Sequence, residues 1–319
     1  MPLAQNPYKV GEAIGTDDCT TLTTPSGVPV TGQALVNLNV SCGNVNTDSQ
    51  RTSFPGYGDI NGLEPAASST YHAMEFGLRR SVGGLELNFA YTYSHSIDDS
   101  SSRGDGNLVN AFDPRANRAS SSFDERHNLN FGYVWDLPFF KSPGLSHTLL
   151  GGWQYSGIFD FSSGTPFTVT FPGDNAGVAN GTSNTSAYAD KVGDPNAGGV
   201  HSTPEGNFQI YNQAAYAPPR GLTFGNSGRN SLRNPRRTNF DMSLFKHFAI
   251  KEHVAFEFRA EAFNIFNHTQ LGYIGGDGGS GANNSDRNSA TAGQDSGNFL
   301  QVLAAHNPRI LQLGAKLIF

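Results

Sequence analysis

Alternation of apolar and polar residues with a period of two recurs along the chain, whereas helical periodicity is scarce. In "LELNFAYTY", Leu85, Leu87, Phe89, Tyr91 and Tyr93 share one face, with Glu86, Asn88, Ala90 and Thr92 opposite. "HNLNFGYVWDL" sets Leu129, Phe131, Tyr133, Trp135 and Leu137 against Asn128, Asn130 and Asp136. "WQYSGIFDF" sets Trp153, Tyr155, Phe159 and Phe161 against Gln154, Ser156 and Asp160. "VAFEFRAEAF" sets Val254, Phe256, Phe258, Ala260 and Ala262 against Glu257, Arg259 and Glu261. "YHAMEFGLRR", "NFDMSLFKHF" and "RILQLGAKLIF" behave alike, which predicts seven strands of about ten residues within 69–319.

Charge sharpens this pattern. Glu75, Arg79, Glu86, Asp136, Asp160, Asp241, Glu257, Arg259, Glu261 and Lys316 all fall on the polar parities. Lys246 falls on an apolar parity, beside the turn "AIKEH". A charge at the midplane of a membrane barrel's lipid face costs about 2–4 kcal/mol, but only about 0–1 near the interface. The apolar parities are therefore compatible with lipid.

A soluble β-sandwich alternates too, so connection lengths must decide. A tight turn at "SVGG" (81–84) is followed by a connection of about 30 residues. About a dozen residues around "FFKSPGLSH" come next, then roughly 75, then a tight turn near Ile250 and Lys251, then about 40. Sandwiches favour turns every 8–12 residues. Membrane barrels place short turns on the periplasmic side and long loops outside. The expected fold is an all-β antiparallel transmembrane β-barrel with long extracellular loops. Residues 1–68 are expected to be a loop-rich extracellular segment and 69–319 the C-terminal strands of the barrel. "PFTVTF" (166–171) and "FQIYNQ" (208–213) read as extracellular extensions that could raise the strand count to eight.

Bulk composition narrows the class further. Charged residues make up 15% and the net charge is −6, which argues against a basic nucleic-acid footprint. Mean hydropathy is −0.40, and no apolar run approaches the roughly 20 residues of a membrane-spanning helix. The first thirty residues lack the basic-then-apolar layout of a signal peptide. Cys19 and Cys42 could close a loop of about 24 residues as a disulfide, or remain two unpaired loop thiols.

Several segments, taken in order, resemble the barrel of TonB-dependent outer-membrane transporters of the Oar-like group. They are "YTYSHSIDDSS" (91–101), "FDERHNLNFGYVWDLPF" (123–139), "LLGGWQYSGIFDFSSGTPFTV" (149–169), "GNSGRNSLRNPRRTNFDMSLFKHF" (225–248), "FEFRAEAFNIFNH" (256–268) and "PRILQLGAKLIF" (308–319). The resemblance implies a wall that is part of a larger barrel of about 22 strands. It implies import of an unknown bulky ligand, energised by the inner-membrane TonB complex acting through an N-terminal part that the chain lacks. It also assigns Leu313, Ala315, Leu317 and Phe319 to a C-terminal signal read by the outer-membrane assembly machinery. The chain is accordingly expected to be a C-terminal fragment of a transporter in a Gram-negative-type outer membrane. Lipid and lipopolysaccharide are its expected surroundings. The alternative is a passive or adhesive surface barrel.

Candidate chemistry is sparse, and no catalytic, cofactor or metal residue is assigned. Neither HExxH, G-x-S-x-G nor a P-loop occurs. A lipase-like barrel would need a serine, a histidine and an acid or amide gathered on one rim. Glu257, Arg259 and Glu261 read as lumen-facing ion-pairing residues. "RGD" (103–105) lies in an expected outer loop, where chance occurrence explains it best. "SIDDSSSRGDGN" and "GGDGGSGANNSDRNSATAGQDSGN" are acidic and glycine-rich but lack the ligand spacing of an EF-hand, and read as solvated loops. "NPRR" (234–237) could meet anionic lipopolysaccharide or simply be solvated.

Overall fold

The structure, a computed structural model, describes residues 2–4, 61–63, 67–101, 113–172, 186–204, 206–217, 223–251, 254–272, 274, 299–302 and 305–319. Cys19, Cys42, "RGD" and nearly all of the 1–68 segment lie outside the described residues, as does the glycine-rich stretch 275–298.

Seven long strands form one sheet: β1 (Ser69–Val82), β2 (Leu85–Asp98), β3 (His127–Asp136), β4 (Trp153–Ser162), β5 (Arg237–Lys251), β6 (Val254–Phe263) and β7 (Ile310–Ile318). Each pairs antiparallel with the next in sequence, and Ala119–Ser120 adds a short rung beside the end of β2. Among the described residues nothing pairs with the outer edges of β1 and β7, so the sheet is open.

Register aligns the apolar parities on one face. Phe89 stands opposite Phe131, Phe131 opposite Phe159, and Phe159 opposite Phe240, so one phenylalanine row crosses four strands. Further along, Leu244 stands opposite Ala260 and Ala260 opposite Leu313. A slip of one residue at any pair would turn a whole strand inside out. Arg80 also lies on the apolar parity, opposite Leu87, near the Gly83–Gly84 turn where a charge is cheap.

This apolar face is uncovered. Leu311, Leu313 and Leu317 are 69%, 75% and 56% exposed. Among the described residues, all the buried hydrophobic side chains lie elsewhere, in the connections 163–236 and 264–309. A sandwich would bury the aromatic face of its sheet against a second layer. Here that face meets protein only at its rims, where residues 137–152 pack beside Trp135, Trp153 and Lys246 and Phe266 packs on Phe240. No second layer covers it among the described residues, which is the arrangement a lipid solvent requires.

The connections sort by end. At one end lie the Gly83–Gly84 turn, residues 137–152, and the β5–β6 turn across which Lys251 pairs with Val254. At the other lie 99–126, 163–236 and 264–309. The first strand runs through Ser81 and Val82, so the turn there is shorter than "SVGG" suggests. Gly83 and Gly84 have φ of +62° and +82°, a conformation that glycine adopts without penalty.

Described parts of 163–236 and 264–309 fold together into a cap with its own core, in which Val169, Leu300 and Val302 are almost fully buried among Phe167, Tyr216 and Phe299. "PFTVTF" and "FQIYNQ" supply rungs of this cap and not of the wall: Pro166–Phe167 pairs with Leu232–Arg233, and Phe208–Gln209 lies between His201–Ser202 and Gln301–Val302.

Candidate functional site

The polar face of the wall forms an open concavity of about 1070 Å³. Arg79, Glu86, Gln154, Asp241, Arg259 and Glu261 line it, with Ile158, Phe245 and Phe263 between them. Alternation puts these side chains there, because every polar-parity residue projects away from the lipid face. Arg79 Nε donates to Asn88 at 3.4 Å, and Gln154 Nε2 donates to Asp136 at 2.9 Å. Arg259 and Glu261 approach to 3.8 Å, and the Arg259 guanidinium lies 5.7 Å from the Phe245 ring. Glu257 faces His247 at 3.5 Å and stands opposite Lys316 in register. Ion pairs this exposed contribute under about 1 kcal/mol each. Their chemistry is that of a wetted, mixed-charge lining able to hydrogen-bond a polar solute.

A second polar cluster joins the cap to the wall. Arg229 Nη2 meets Asp98 Oδ1 at 2.8 Å, and both side chains are at least nine-tenths buried. Arg229 Nη1 also donates to the carbonyls of Asp98 and Asn117, each at 3.1 Å. Asp124, 1% exposed, accepts from the Ser96 amide at 2.8 Å, from Arg126 at 3.2 Å and from Arg233, and faces His95 Nδ1 at 3.1 Å. Burial opposes its ionisation. The Ser96 amide, the Arg233 and His95 hydrogen bonds and the Arg233 charge outweigh burial and hold this carboxyl below its usual range. Asn230 Nδ2 donates to the Ser120 carbonyl at 2.8 Å. Within the cap, burial pushes the Tyr188 and Tyr216 hydroxyls up to about 12. Tyr188 meets that burial by donating to Asn117 Oδ1 at 2.9 Å.

The solvated reading of "SIDDSSSRGDGN" therefore fails at its first acid. Asp98 is 2% exposed and neutralised by Arg229, because an unpaired carboxylate at that depth would be prohibitively costly. Asp99 pairs with Arg118 at 3.4 Å on the surface. Sequence reasoning also passed over Asp124, Arg229 and Arg233 as partners. The available signal was the spacing of Arg and Asn in "GRNSLRNPRR" against the acids of "SIDD" and "FDER". Of "NPRR", Asn234 binds the Thr165 carbonyl within the cap, while Arg236 and Arg237 are exposed.

A lipase-like arrangement is absent from this cluster. The His95 imidazole approaches Asp124, but its Nε2 faces Arg126 Nη2 at 3.3 Å, where a nucleophile's hydroxyl would have to stand. Among the described residues no three His, Cys, Asp or Glu side chains gather as metal ligands. At the other end of the sheet, Leu313, Ala315 and Leu317 stand opposite Ala260, Phe258 and Phe256 on the apolar face, and Phe319 lies just past β7, 95% exposed.

Neither a curated protein nor a solved structure matches the chain. The family model described as "Outer membrane beta barrel domain" matches residues 21–312. That match spans the wall up to the start of β7, the concavity and the cap, and agrees with an exposed apolar face and with the longest connections gathered at one end. The chain belongs to the outer-membrane β-barrel domain family and resides in the outer membrane.

Proposed function

We propose that the chain is part of the barrel wall of a TonB-dependent transporter of the Oar-like type, importing a bulky ligand with energy from the inner-membrane TonB system. The observation that carries this reading is the cap, whose core comes from described parts of 163–236 and 264–309 and to which 99–126 is hydrogen-bonded through Asn117 and Ser120, beside a polar-lined concavity. A cap with a core of its own supplies a shaped surface for capturing a ligand at the outer rim. The edges of β1 and β7, unpaired among the described residues, support a wider barrel, because the seven strands described do not make a closed bacterial barrel, which uses even numbers from eight upward. The ordered set of Oar-like segments supports the choice of transporter type. Transport or a structural role suits this geometry better than enzymatic chemistry.

The surroundings follow from the same reading. Lipid covers the apolar face, lipopolysaccharide phosphates meet Arg236 and Arg237 at the outer rim, and the assembly machinery reads β7 through Leu313, Ala315, Leu317 and Phe319. A passive or adhesive surface barrel is the second reading, favoured by the same cap, since an ordered outer surface can equally bind another cell or matrix. The two separate on energy coupling. Uptake of candidate oligosaccharides, peptides and chelates into cells expressing the full-length protein should be ligand-dependent and abolished by a protonophore. Surface binding without energised uptake, in correctly inserted protein, would favour the adhesive reading.

A further inference from the structure

We propose that residues 137–152, which join β3 to β4, form a membrane-interface anchor whose short helix, Leu145–Leu150, beds into the phospholipid beside the wall. The other two connections at this end are tight turns, so this one is built for something besides reversing the chain. Its side chains Phe139, Phe140, Leu145, Leu149 and Leu150 are all more than half exposed, Leu145 to 82%. An apolar cluster of this size on a surface marks a contact with a membrane or another protein.

Its attachment to the wall selects the membrane. The Phe139 ring meets the edge of the Trp135 ring at 6.2 Å. Trp153 Nε1 donates to the Leu149 carbonyl at 3.3 Å, and Lys246 Nζ donates to the Gly151 carbonyl just past the helix. Trp135, Trp153 and Lys246 all belong to the apolar parity, so the connection is fastened to the lipid-facing side of the rim, and its apolar cluster continues the belt. Both tryptophans of the chain stand at this junction, where an apolar ring and a polar N–H suit the boundary between acyl chains and headgroups.

Lys246 also finds a physical reason here. Its ammonium lies 4.5 Å from the Phe248 ring and 5.3 Å from the Trp153 ring, and it is 2% exposed. A cation on the apolar face is retained because it satisfies the carbonyl end of this helix and two aromatic faces, not merely because a turn is near. The occupant that fits is a phospholipid leaflet.

Depth-dependent quenching tests this in the whole protein assembled in phosphatidylethanolamine–phosphatidylglycerol vesicles. With Cys19 and Cys42 changed to Ser, single cysteines replace Leu145, Leu149, Leu313 or Ser202 and carry an NBD label. Phospholipids brominated along their acyl chains serve as the quencher. Labels at 145 and 149 should lose at least half as much fluorescence as the label at 313, while the label at 202 is unaffected. Quenching at 313 but not at 145 and 149 would overturn the anchor, and would leave a water-facing or protein-covered connection. Quenching at none of these positions would overturn the lipid-facing wall and the anchor with it.

Discussion

The residues that decide this structure are a few polar groups at the base of the cap. Arg229 reaches from the β4–β5 connection to Asp98 at the end of β2, so truncating it strands a buried carboxylate. Breaking such a pair costs about 3–5 kcal/mol. Arg229→Ala should therefore make the outer connections protease-sensitive in intact cells while leaving the wall assembled, as read by limited proteolysis and heat-modifiable migration. Unchanged protection would show that the cap core holds without this pair. Gly164 makes a second test, because a Cβ there would lie 1.7 Å from the Asn234 backbone oxygen. Gly164→Ala should displace the Leu232–Arg233 rung from Pro166–Phe167 and lower the thermal stability of the cap, which hydrogen exchange at these residues would register. Asp124 gives the pH dependence. Its folded value is lowered, so its contribution is full above about pH 4–5 and is lost as the pH falls through the lowered value. As the pH falls from about 5 through that lowered value, protection against exchange, corrected for the intrinsic rate, should be lost at 119–126 and 229–234 before it is lost in β3 or β4; simultaneous loss would contradict a local role for this carboxylate.

At the scale of elements, the strands were legible because a period of two is a local property, and a face in lipid keeps charge off one parity except near the rim. All seven alternating segments became strands, and their registers gather the apolar parities on one face. What local pattern could not show is long-range. The Asp98–Arg229 pair spans 131 residues and the Asp124–Arg233 pair 109, and each half reads by itself as a solvated charge. The helix Leu145–Leu150 escaped for a different reason: six residues are too few for helical periodicity to register. Its apolar residues gain meaning only once Trp135, Trp153 and Lys246 are seen to hold it on the lipid side. Strand ends were misjudged by about two residues where glycines, not the preceding Ser81 and Val82, make the turn.

At the scale of the whole molecule, three layers follow one from another. Alternation gives a wall with an apolar outer face and a polar inner face. The antiparallel order sends alternate connections to one end, where described parts of 163–236 and 264–309 bury a core and form a cap. The central claim is that the uncovered aromatic face is solvated by lipid and the opposite face by water. Spin labels placed one at a time along β3, from Leu129 to Val134, test it most directly through their accessibility to oxygen and to a water-soluble nickel chelate. Labels at 129, 131 and 133 should be reached by oxygen and shielded from nickel, and labels at 130, 132 and 134 should show the reverse, in strict alternation. Odd positions inaccessible to both reagents would mean that protein covers the aromatic face, and the lipid-facing wall would be wrong.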